Sequence, residues 1–403
     1  MQFGFRKYHS TDTATCYFLE NVKQLLDKGG FVGAVFLDLQ RAFDTINHDV
    51  LLAKLSYFNF SNSALCWMKS YLHDRKQAVQ IENSQSSFLS CSDGVPQGSV
   101  LGPLLFSLYV NNLPDVCKKT KIQLYADDTV LYAHAKTKAE AAAVLSGAMV
   151  PVFQWLQRSC LHLNTQKTVC MFFSRQPTRE EQPSVVVNGE QLEVVEQFKY
   201  LGIIFDSKLT FKDHVKKISN IVKFNLSNFK QIRSSLTTEA AKVYMHSLIF
   251  SHITYRLTTW SQTNESTLKP LKSLFKRTLK VLDKKPLRYH YCDILTKYGI
   301  MDFESYKMCM DACLIFKVLN GLAPPPLLDF LSKKINVGIG TRALTRGDCN
   351  VQRRRTKFSQ TVVSIRGTQL WNTLPQHIRN WENYPTFQTA LKQWLKTNQS
   401  CRH

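Results

Sequence analysis

Apolar positions along the first half of the chain follow two patterns, short runs and helical spacing. Short apolar runs at 122–125 and 129–132 predict strands, whereas apolar residues in 138–161 recur at helical spacing. Asn188-Gly189 lies between two apolar runs and predicts a tight hairpin turn. Further helices are expected over 49–58, 63–72 and 100–113, and further strands over 77–82, 88–91 and 169–173. The mixture predicts α+β or α/β architecture up to about residue 205.

The pattern changes after residue 205. Segments between 206 and 288 are helix-like and contain seventeen Lys and Arg against five Asp and Glu. A proline run, Pro324-Pro325-Pro326, interrupts the section that follows. We therefore expect three parts, with boundaries at 1–205, 206–290 and 291–403.

The charge of the whole chain indicates its class of partner. Fifty-two Lys and Arg against thirty Asp and Glu give a formal net charge of +22. Such an excess favours a polyanion, with nucleic acid first and an anionic membrane surface second. The apolar stretch 100–110 is too short to span a bilayer, and the first residues lack a signal-peptide layout. Neither a transmembrane segment nor a signal peptide is expected.

Three aspartates are candidate metal ligands. Asp127 and Asp128 lie between the two predicted strands, so they are expected at a hairpin tip, and Asp38 ends the apolar run 35–37. Magnesium prefers carboxylate, water and phosphate oxygens, and two neighbouring cations require several acidic groups to converge. Taken singly, each aspartate is as well explained by a solvated turn or a strand end.

A glycine-containing segment, Gly94–Ser99, precedes the apolar run 100–106. Glycine permits close approach of the backbone to a ligand, and a helix N-terminus attracts phosphate. The alternative is a Pro-Gly turn that only caps a helix.

In this order and spacing, these segments resemble the reverse transcriptase of non-long-terminal-repeat retrotransposons, most closely the jockey-type elements. The matching segments are Gln2–Arg6 (end of the fingers), Phe36–Asp44 (motif A), Gly94–Phe106 (motif B), Tyr125–Asp128 (motif C), Leu161–Asn164 with Lys167 (motif D) and Phe198–Gly202 (primer grip). The motif B sequence disfavours group II intron maturases, and Ala126 disfavours viral RNA polymerases. Residues 366–375 resemble a segment common at the C-termini of these elements, with no role implied.

The resemblance implies a fold and a set of site residues. The fold is α+β: a right-hand polymerase palm with partial fingers, then a helical thumb and a mixed C-terminal region. The implied ligands of two Mg²⁺ ions are Asp38, Asp127 and Asp128, with Lys167 as proton donor to pyrophosphate. Further implied sites are the nucleotide pocket (Leu39, Phe43, Gln97, Gly98), the primer grip (Tyr200, Leu201, Gly202) and a backbone-binding face (Lys212, Lys216, Lys217, Lys223). Open alternatives are a solvated surface for the lysines and plain core packing for Phe43 and the primer-grip residues.

The implied activity is RNA-directed DNA polymerisation, a nucleotidyl transfer. Its partners would be an RNA template, a DNA primer and deoxynucleoside triphosphates, in a ribonucleoprotein of the nucleus or cytoplasm. No oligomeric state is predicted. Family proteins carry more fingers sequence before the position of Met1, so an N-terminally truncated chain is expected. Two alternatives stay open: a catalytically inactive nucleic-acid-binding remnant, and a relic that does not fold stably.

Overall fold

The computed structural model describes residues 1–176, 183–333 and 348–399. The strands are β1 (Phe31–Leu37), β2 (Lys76–Gln77), β3 (Gln80–Ile81), β4 (Ser84–Gln85), β5 (Leu89–Ser90), β6 (Lys121–Tyr125), β7 (Asp128–Ala135), β8 (Val169–Phe173), β9 (Val186–Val187), β10 (Glu190–Gln191), β11 (Glu193–Val194), β12 (Gln197–Tyr200), β13 (Ile203–Asp206), β14 (Ser332–Lys333) and β15 (Cys349–Asn350).

The helices are α1 (Thr11–Leu26), α2 (His48–Tyr57), α3 (Asn62–Leu72), α4 (Gly102–Tyr109), α5 (Lys138–Arg158), α6 (Lys212–Ile232), α7 (Thr238–Met245), α8 (Ser251–Thr254), α9 (Leu257–Trp260), α10 (Glu265–Leu282), α11 (Cys292–Tyr298), α12 (Phe303–Leu319), α13 (Val363–Thr373), α14 (Gln376–Arg379) and α15 (Tyr384–Asn398). Short 3₁₀ segments lie at Leu113–Val116, Arg233–Ser235, Pro325–Phe330 and Ser359–Thr361, and a π-helical segment, His246–Phe250, joins α7 to α8. These elements confirm the α+β prediction.

By its contacts the chain divides into two compact units. The first contains Met1–Ser10 and Gly29–Glu196, and the second contains Thr11–Lys28 and the described residues from Gln197 onward. The predicted division into three parts, at 205 and 290, stays a prediction.

The first unit is built on a mixed five-stranded sheet. Its strand order is β11-β8-β1-β7-β6, with β1 antiparallel to both of its neighbours and β11 parallel to β8. Every residue of β1 is buried. A strand that is covered on both faces reads as a continuous apolar run, which explains the sequence of this strand. The end of β1 is therefore held firmly in the middle of the sheet.

Helix α5 covers the sheet at β1 and β7. Thr137 and Glu140 form a reciprocal capping box that fixes its start. Its buried residues, at helical spacing, are Ala141, Ala142, Leu145, Ala148, Met149, Val152, Trp155 and Leu156. Within the described part of the chain, α5 alone is long and apolar enough to cross a membrane by length and composition. Its buried stripe on the sheet is that of a core helix.

Two expectations for the first unit need correction. Helix α4 begins at Gly102 rather than Val100, because the Ser99 hydroxyl accepts the Gly102 N–H at 3.0 Å and Val100 is 93% exposed. The strands expected over 77–82 and 88–91 are instead two short exposed ladders, β2 with β5 and β3 with β4. The hairpin at Asn188-Gly189 is confirmed, and both residues have positive φ.

The second unit includes α1, although α1 lies near the start of the chain. The Thr15 and Thr259 hydroxyls lie 3.0 Å apart, and the fully buried Lys23 ammonium donates to the Gln262 carbonyl at 2.7 Å. The buried Glu20 carboxylate accepts the Ser364 N–H at 2.8 Å, at the start of α13. Burial raises the pKa of the Glu20 carboxyl, and the hydrogen bonds from Ser364 only partly offset that rise. Polar contacts thus fix α1 to segments more than 200 residues away in sequence.

Residues 366–375, for which the sequence implied no role, form part of the core of the second unit. Arg366 on α13 makes a bidentate ion pair with Asp311 on α12, at 2.7 and 2.8 Å. Trp371 packs against Phe316 and Phe387. Arg366 and Trp371 in this segment therefore have a packing role.

Candidate active site

Strand pairing puts Asp38 and the Asp127-Asp128 pair at the same end of the sheet. Leu37, the last residue of β1, pairs with Thr129 of β7 in an antiparallel register, so Asp38 follows β1 at the end of the sheet where β7 begins with Asp128. Tyr125 and Asp128 form the last pair of the β6–β7 ladder, which leaves Ala126 and Asp127 as the tip. The predicted hairpin is confirmed, and its acidic tip lies at the same end of the sheet as Asp38.

Local conformation sets the exposure of the three carboxylates. Ala126 has φ +55° and is buried, whereas Asp127 and Asp128 are exposed. Asp38 is half-buried. The hairpin tip therefore keeps its apolar residue inside and presents its charges outward.

The loop before β8 fixes the backbone of Asp38 from the other side. The Asp38 N–H donates to the Thr168 hydroxyl at 3.2 Å, and the Asp38 carbonyl accepts the Asn164 N–H at 2.8 Å. Leu39 pairs with Leu163 in an isolated bridge. Lys167, which is exposed, directly precedes Thr168. The motif D resemblance thus corresponds to a loop bound directly to Asp38, and Lys167 lies on it.

The carboxylates have the right donor chemistry for a hard divalent cation. In the described ranges, no group of three or more His, Cys, Asp or Glu side chains is arranged so that it could hold a metal ion. Magnesium in nucleotidyl-transfer sites is usually held by one or two carboxylates together with substrate phosphates and water. Neighbouring carboxylates also repel one another unless a cation lies between them. The donor chemistry of Asp38, Asp127 and Asp128 therefore fits such a site, in which substrate phosphates and water would supply the remaining ligands.

Phe43 is held in a stack of aromatic rings. Its ring lies parallel to that of Phe106, with centroids 4.6 Å apart, and the Phe5 ring meets it edge-on at 6.4 Å. Phe43 remains half-buried. One side of the ring is packed, and the side chain is still partly accessible at the site.

The motif A and motif B segments are bonded to each other. The Gln97 amide donates to the Asp44 carboxylate at 2.8 Å, and the Phe43 carbonyl accepts the Val95 N–H at 2.9 Å. Gly94 has φ +81°, and a Cβ there would lie 2.8 Å from the Asp44 Cα. Only glycine allows the two segments to approach this closely. Gln97 is exposed, and its amide is oriented by Asp44.

Gly98 and Leu39 complete the predicted nucleotide-pocket residues. Gly98 is exposed, with φ +79°, at the turn that leads into α4. Leu39 is half-buried next to Asp38. Both belong to the first unit, as do Phe43 and Gln97, so one compact unit contains all four residues.

The predicted primer-grip residues belong to the second unit. Leu201 and Gly202 form the tight turn between β12 and β13, with φ +46° and +84°. Tyr200 is buried and packs against Phe18 and Phe205. The Tyr200 side chain is therefore part of the core of that unit. The grip role of these three residues stays a prediction.

The four lysines predicted to contact a nucleic-acid backbone are all exposed on α6. At 100° per residue, Lys212, Lys216 and Lys223 lie within roughly 40° of one another, and Lys217 lies about 100° further round. The buried residues His214, Val215, Ile218 and Val222 occupy the remaining side. Three of the four lysines thus share one exposed stripe.

Sequence reasoning missed several residues that shape these sites. Asp44 was quoted only as part of motif A, yet it orients Gln97. Arg75 donates to the carbonyls of Asp93 and Gly94 and so holds the start of motif B. Phe224 is 67% exposed on α6, two helical turns after Lys217 and on the same side of the helix. Only Phe224 carried a usable signal, as an aromatic residue among helix lysines.

Comparison with known proteins decides the family. The family model "Reverse transcriptase (RNA-dependent DNA polymerase)" matches residues 1–205, half of the chain. The chain belongs to the reverse transcriptase family. The relationship to jockey-type elements predicted from the sequence is confirmed as well, because curated relatives of that kind match most of the chain.

Two relatives come from Drosophila melanogaster. The probable RNA-directed DNA polymerase from transposon BS is 31% identical over 298 residues, or 71% of this chain and 32% of that protein. The RNA-directed DNA polymerase from mobile element jockey is 27% identical over 295 residues, with the same shares covered. The chain thus spans about a third of the length of these relatives.

Among solved structures, telomerase from Candida albicans matches with a TM-score of 0.37 at 13% identity. The match covers 70% of this chain and 52% of that one. A likeness this low carries no argument about the site. As a reverse transcriptase family member, the chain has an α+β polymerase fold, and the family implies a divalent metal for polymerisation.

Proposed function

We propose that the protein is an RNA-directed DNA polymerase that adds deoxynucleotides to a primer 3′-hydroxyl on an RNA template. One observation carries the proposal: Asp38 follows β1 at the end of the sheet where Asp127 and Asp128 lie at the turn between β6 and β7. Family membership and the +22 net charge support it, since both substrates are polyanions.

The predicted site residues of the first unit each have a role in the proposed reaction. Asp38, Asp127 and Asp128 would hold two Mg²⁺ ions, which when bound activate the primer hydroxyl and neutralise charge on the leaving phosphate. Lys167, on the loop bound to Asp38, would donate a proton to departing pyrophosphate. Gln97, oriented by Asp44, and Gly98 would line the pocket of the templated nucleotide.

The direct test is primer extension on an RNA template with purified protein. Asp127→Asn combined with Asp128→Asn should lower the rate of incorporation by roughly a hundredfold or more, since charge stabilisation by a metal site is worth several kcal/mol. Asp49→Asn, on the exposed surface of α2, is the matched control and should retain activity. Equal incorporation by wild type and the double variant would reject the proposal, provided that both unfold at the same temperature.

Phe43 supplies a second, independent test. A bulky ring beneath the sugar excludes a 2′-hydroxyl, and the ring is fixed here by its stack with Phe106. Phe43→Val should raise incorporation of ribonucleotides relative to deoxynucleotides while leaving deoxynucleotide incorporation measurable. If the ratio of the two kcat/KM values is the same in variant and wild type, Phe43 is not the sugar-selecting residue.

We also propose that the lysine stripe of α6 contacts the backbone of the template–primer duplex. Lys216→Gln should lower the salt dependence of duplex binding by about one released counterion, because each contacted phosphate contributes roughly one. Lys217→Gln removes the same charge about 100° away on the helix and should change the slope less. Equal slopes for the two variants would indicate general charge attraction without a defined contact face.

A further inference from the structure

An additional chain segment lies along the sheet edge next to the acidic hairpin. β6 is the last strand of the sheet order. The Phe3 N–H donates to the Leu124 carbonyl at 2.7 Å, and the Leu124 N–H donates to the Met1 carbonyl at 2.9 Å. An edge strand is otherwise paired on one side only. The first residues therefore hold β6 from its outer side, close to the hairpin tip.

The Gln2 side chain extends this contact into the turn itself. Its Oε1 atom accepts the Gly4 N–H at 2.7 Å and the Ala126 N–H at 3.1 Å. Gln2 is 6% exposed. The amide orientation is unambiguous, because Nε2 could not accept from two N–H groups. Ala126 directly precedes Asp127, so this hydrogen bond fixes the backbone at the base of that carboxylate.

The close approach depends on a glycine. A Cβ on Gly4 would lie 2.5 Å from the Ala126 nitrogen and 3.2 Å from its Cα. Ala126 itself has φ +55°, a conformation that residues with a side chain adopt rarely and that surrounding structure must support. Gln2 and Gly4 together supply that support.

The Nε2 end of the Gln2 amide shows that Oε1 is the atom that explains a polar side chain at this position. Its Nε2 group is buried and has no hydrogen-bond partner among the described residues. A buried donor without a partner costs free energy, and an apolar side chain of the same length would avoid that cost. Such a side chain would also lose the acceptor for Gly4 and Ala126. The two bonds to Oε1 therefore account for a polar group at this buried position.

We propose that Gln2 is a positioning residue that holds the Tyr125–Asp128 turn, and with it Asp127, in the arrangement needed to bind a divalent cation. Its effect on catalysis rests on the proposed function. Its effect on the turn and on cation binding can be measured without any activity.

The experiment compares wild type with three variants. Gln2→Met keeps the length of the side chain and removes the acceptor, whereas Gln2→Glu keeps an acceptor oxygen. Leu145→Ala, on the face of α5 that covers the sheet, is the control for general loss of stability. For each protein we would measure hydrogen exchange at the Ala126 amide, Mn²⁺ binding by electron paramagnetic resonance, thermal unfolding and primer extension.

Gln2→Met should keep a cooperative thermal transition. Exchange at the Ala126 amide should become about tenfold faster, and the Mn²⁺ concentration for half-saturation should rise about tenfold, the change expected for loss of the hydrogen bond to Ala126, one of the two that Oε1 accepts. Gln2→Glu should keep the Ala126 amide protected. Leu145→Ala should lower the unfolding temperature and leave Mn²⁺ binding unchanged.

Three results would overturn the proposal. These are unchanged exchange at Ala126 in Gln2→Met, an equal rise of the Mn²⁺ half-saturation in Leu145→Ala, and loss of the thermal transition in Gln2→Met. The last would make Gln2 a folding residue. If wild type binds Mn²⁺ but extends no primer, the proposed function fails, while the exchange and Mn²⁺ measurements still decide the role of Gln2.

Discussion

The buried histidine His214 should make the second unit sensitive to acid. Its side chain lies on α6, is 4% exposed, and accepts the Ile204 N–H through Nδ1 at 3.3 Å. Its ring meets that of Trp260 at 5.7 Å. Burial, and then the charges of Lys217 and Arg256, lower the pKa of His214 from 6.5 to about 4.

The sign and size of the effect follow from this pKa. Because the folded-state pKa lies below the unfolded one, the unfolded chain takes up a proton first as the pH falls. The contribution of His214 is complete above about pH 6.5 and is lost as the pH falls toward 4. A shift of this size at about 1.4 kcal/mol per pKa unit corresponds to about 3 kcal/mol of unfolding free energy.

The assay is urea unfolding followed by tryptophan fluorescence at several pH values between about 7.5 and about 4. His214→Asn keeps an acceptor for the Ile204 N–H but does not titrate, so its stability should fall by about 3 kcal/mol less over this range. His252→Asn, at an exposed position in the same unit, is the control and should behave as wild type. If His214→Asn and wild type lose equal stability, the reasoning is wrong.

Three further substitutions test other contacts. Asp206→Ala removes the acceptor for three backbone N–H groups in the turn before α6 and should lower the unfolding free energy by roughly 1–3 kcal/mol. Asp206→Asn should lower it less, and equal losses would argue against a role of these hydrogen bonds. Gly94→Ala places a Cβ against the Asp44 backbone at positive φ and should lower the unfolding free energy, measured by thermal unfolding, by roughly 1–3 kcal/mol. An unchanged unfolding free energy would mean that the two motif segments can separate freely. Arg366→Lys keeps the charge but loses the bidentate pair with Asp311 and should cost roughly 1–3 kcal/mol in urea; an unchanged midpoint would show that charge alone suffices.

The parts of the site that depend on short-range interactions were predictable. The short runs of strand-forming residues on each side of Asp127-Asp128 and the turn preference of aspartate predicted the β6–β7 hairpin, with its acidic tip. The Asn188-Gly189 turn followed from the same kind of local signal. In both cases the residues that decide the structure are neighbours in the chain.

Contacts between distant residues were not predictable from pattern alone. Asp38 and the acidic pair lie at the same end of the sheet because β1 pairs with β7, and periodicity does not give that pairing, since tertiary packing sets strand register. The Gln97–Asp44 and Gln2–Ala126 hydrogen bonds could not be inferred from the hydrophobic pattern, since each joins segments more than fifty residues apart. Their partners could be identified only once the strands were paired.

The sequence by itself determined the class of fold, the acidic hairpin, the basic helix and, through the order of its motifs, the family. These properties depend on local periodicity, turn chemistry and charge. Tertiary structure alone decided that α1 belongs with the C-terminal half of the chain, through Thr15, Lys23 and Glu20, and that Gln2 contacts the acidic turn. The physical reason is that a buried polar side chain is explained by its hydrogen-bond partner, and that partner can lie anywhere in the chain.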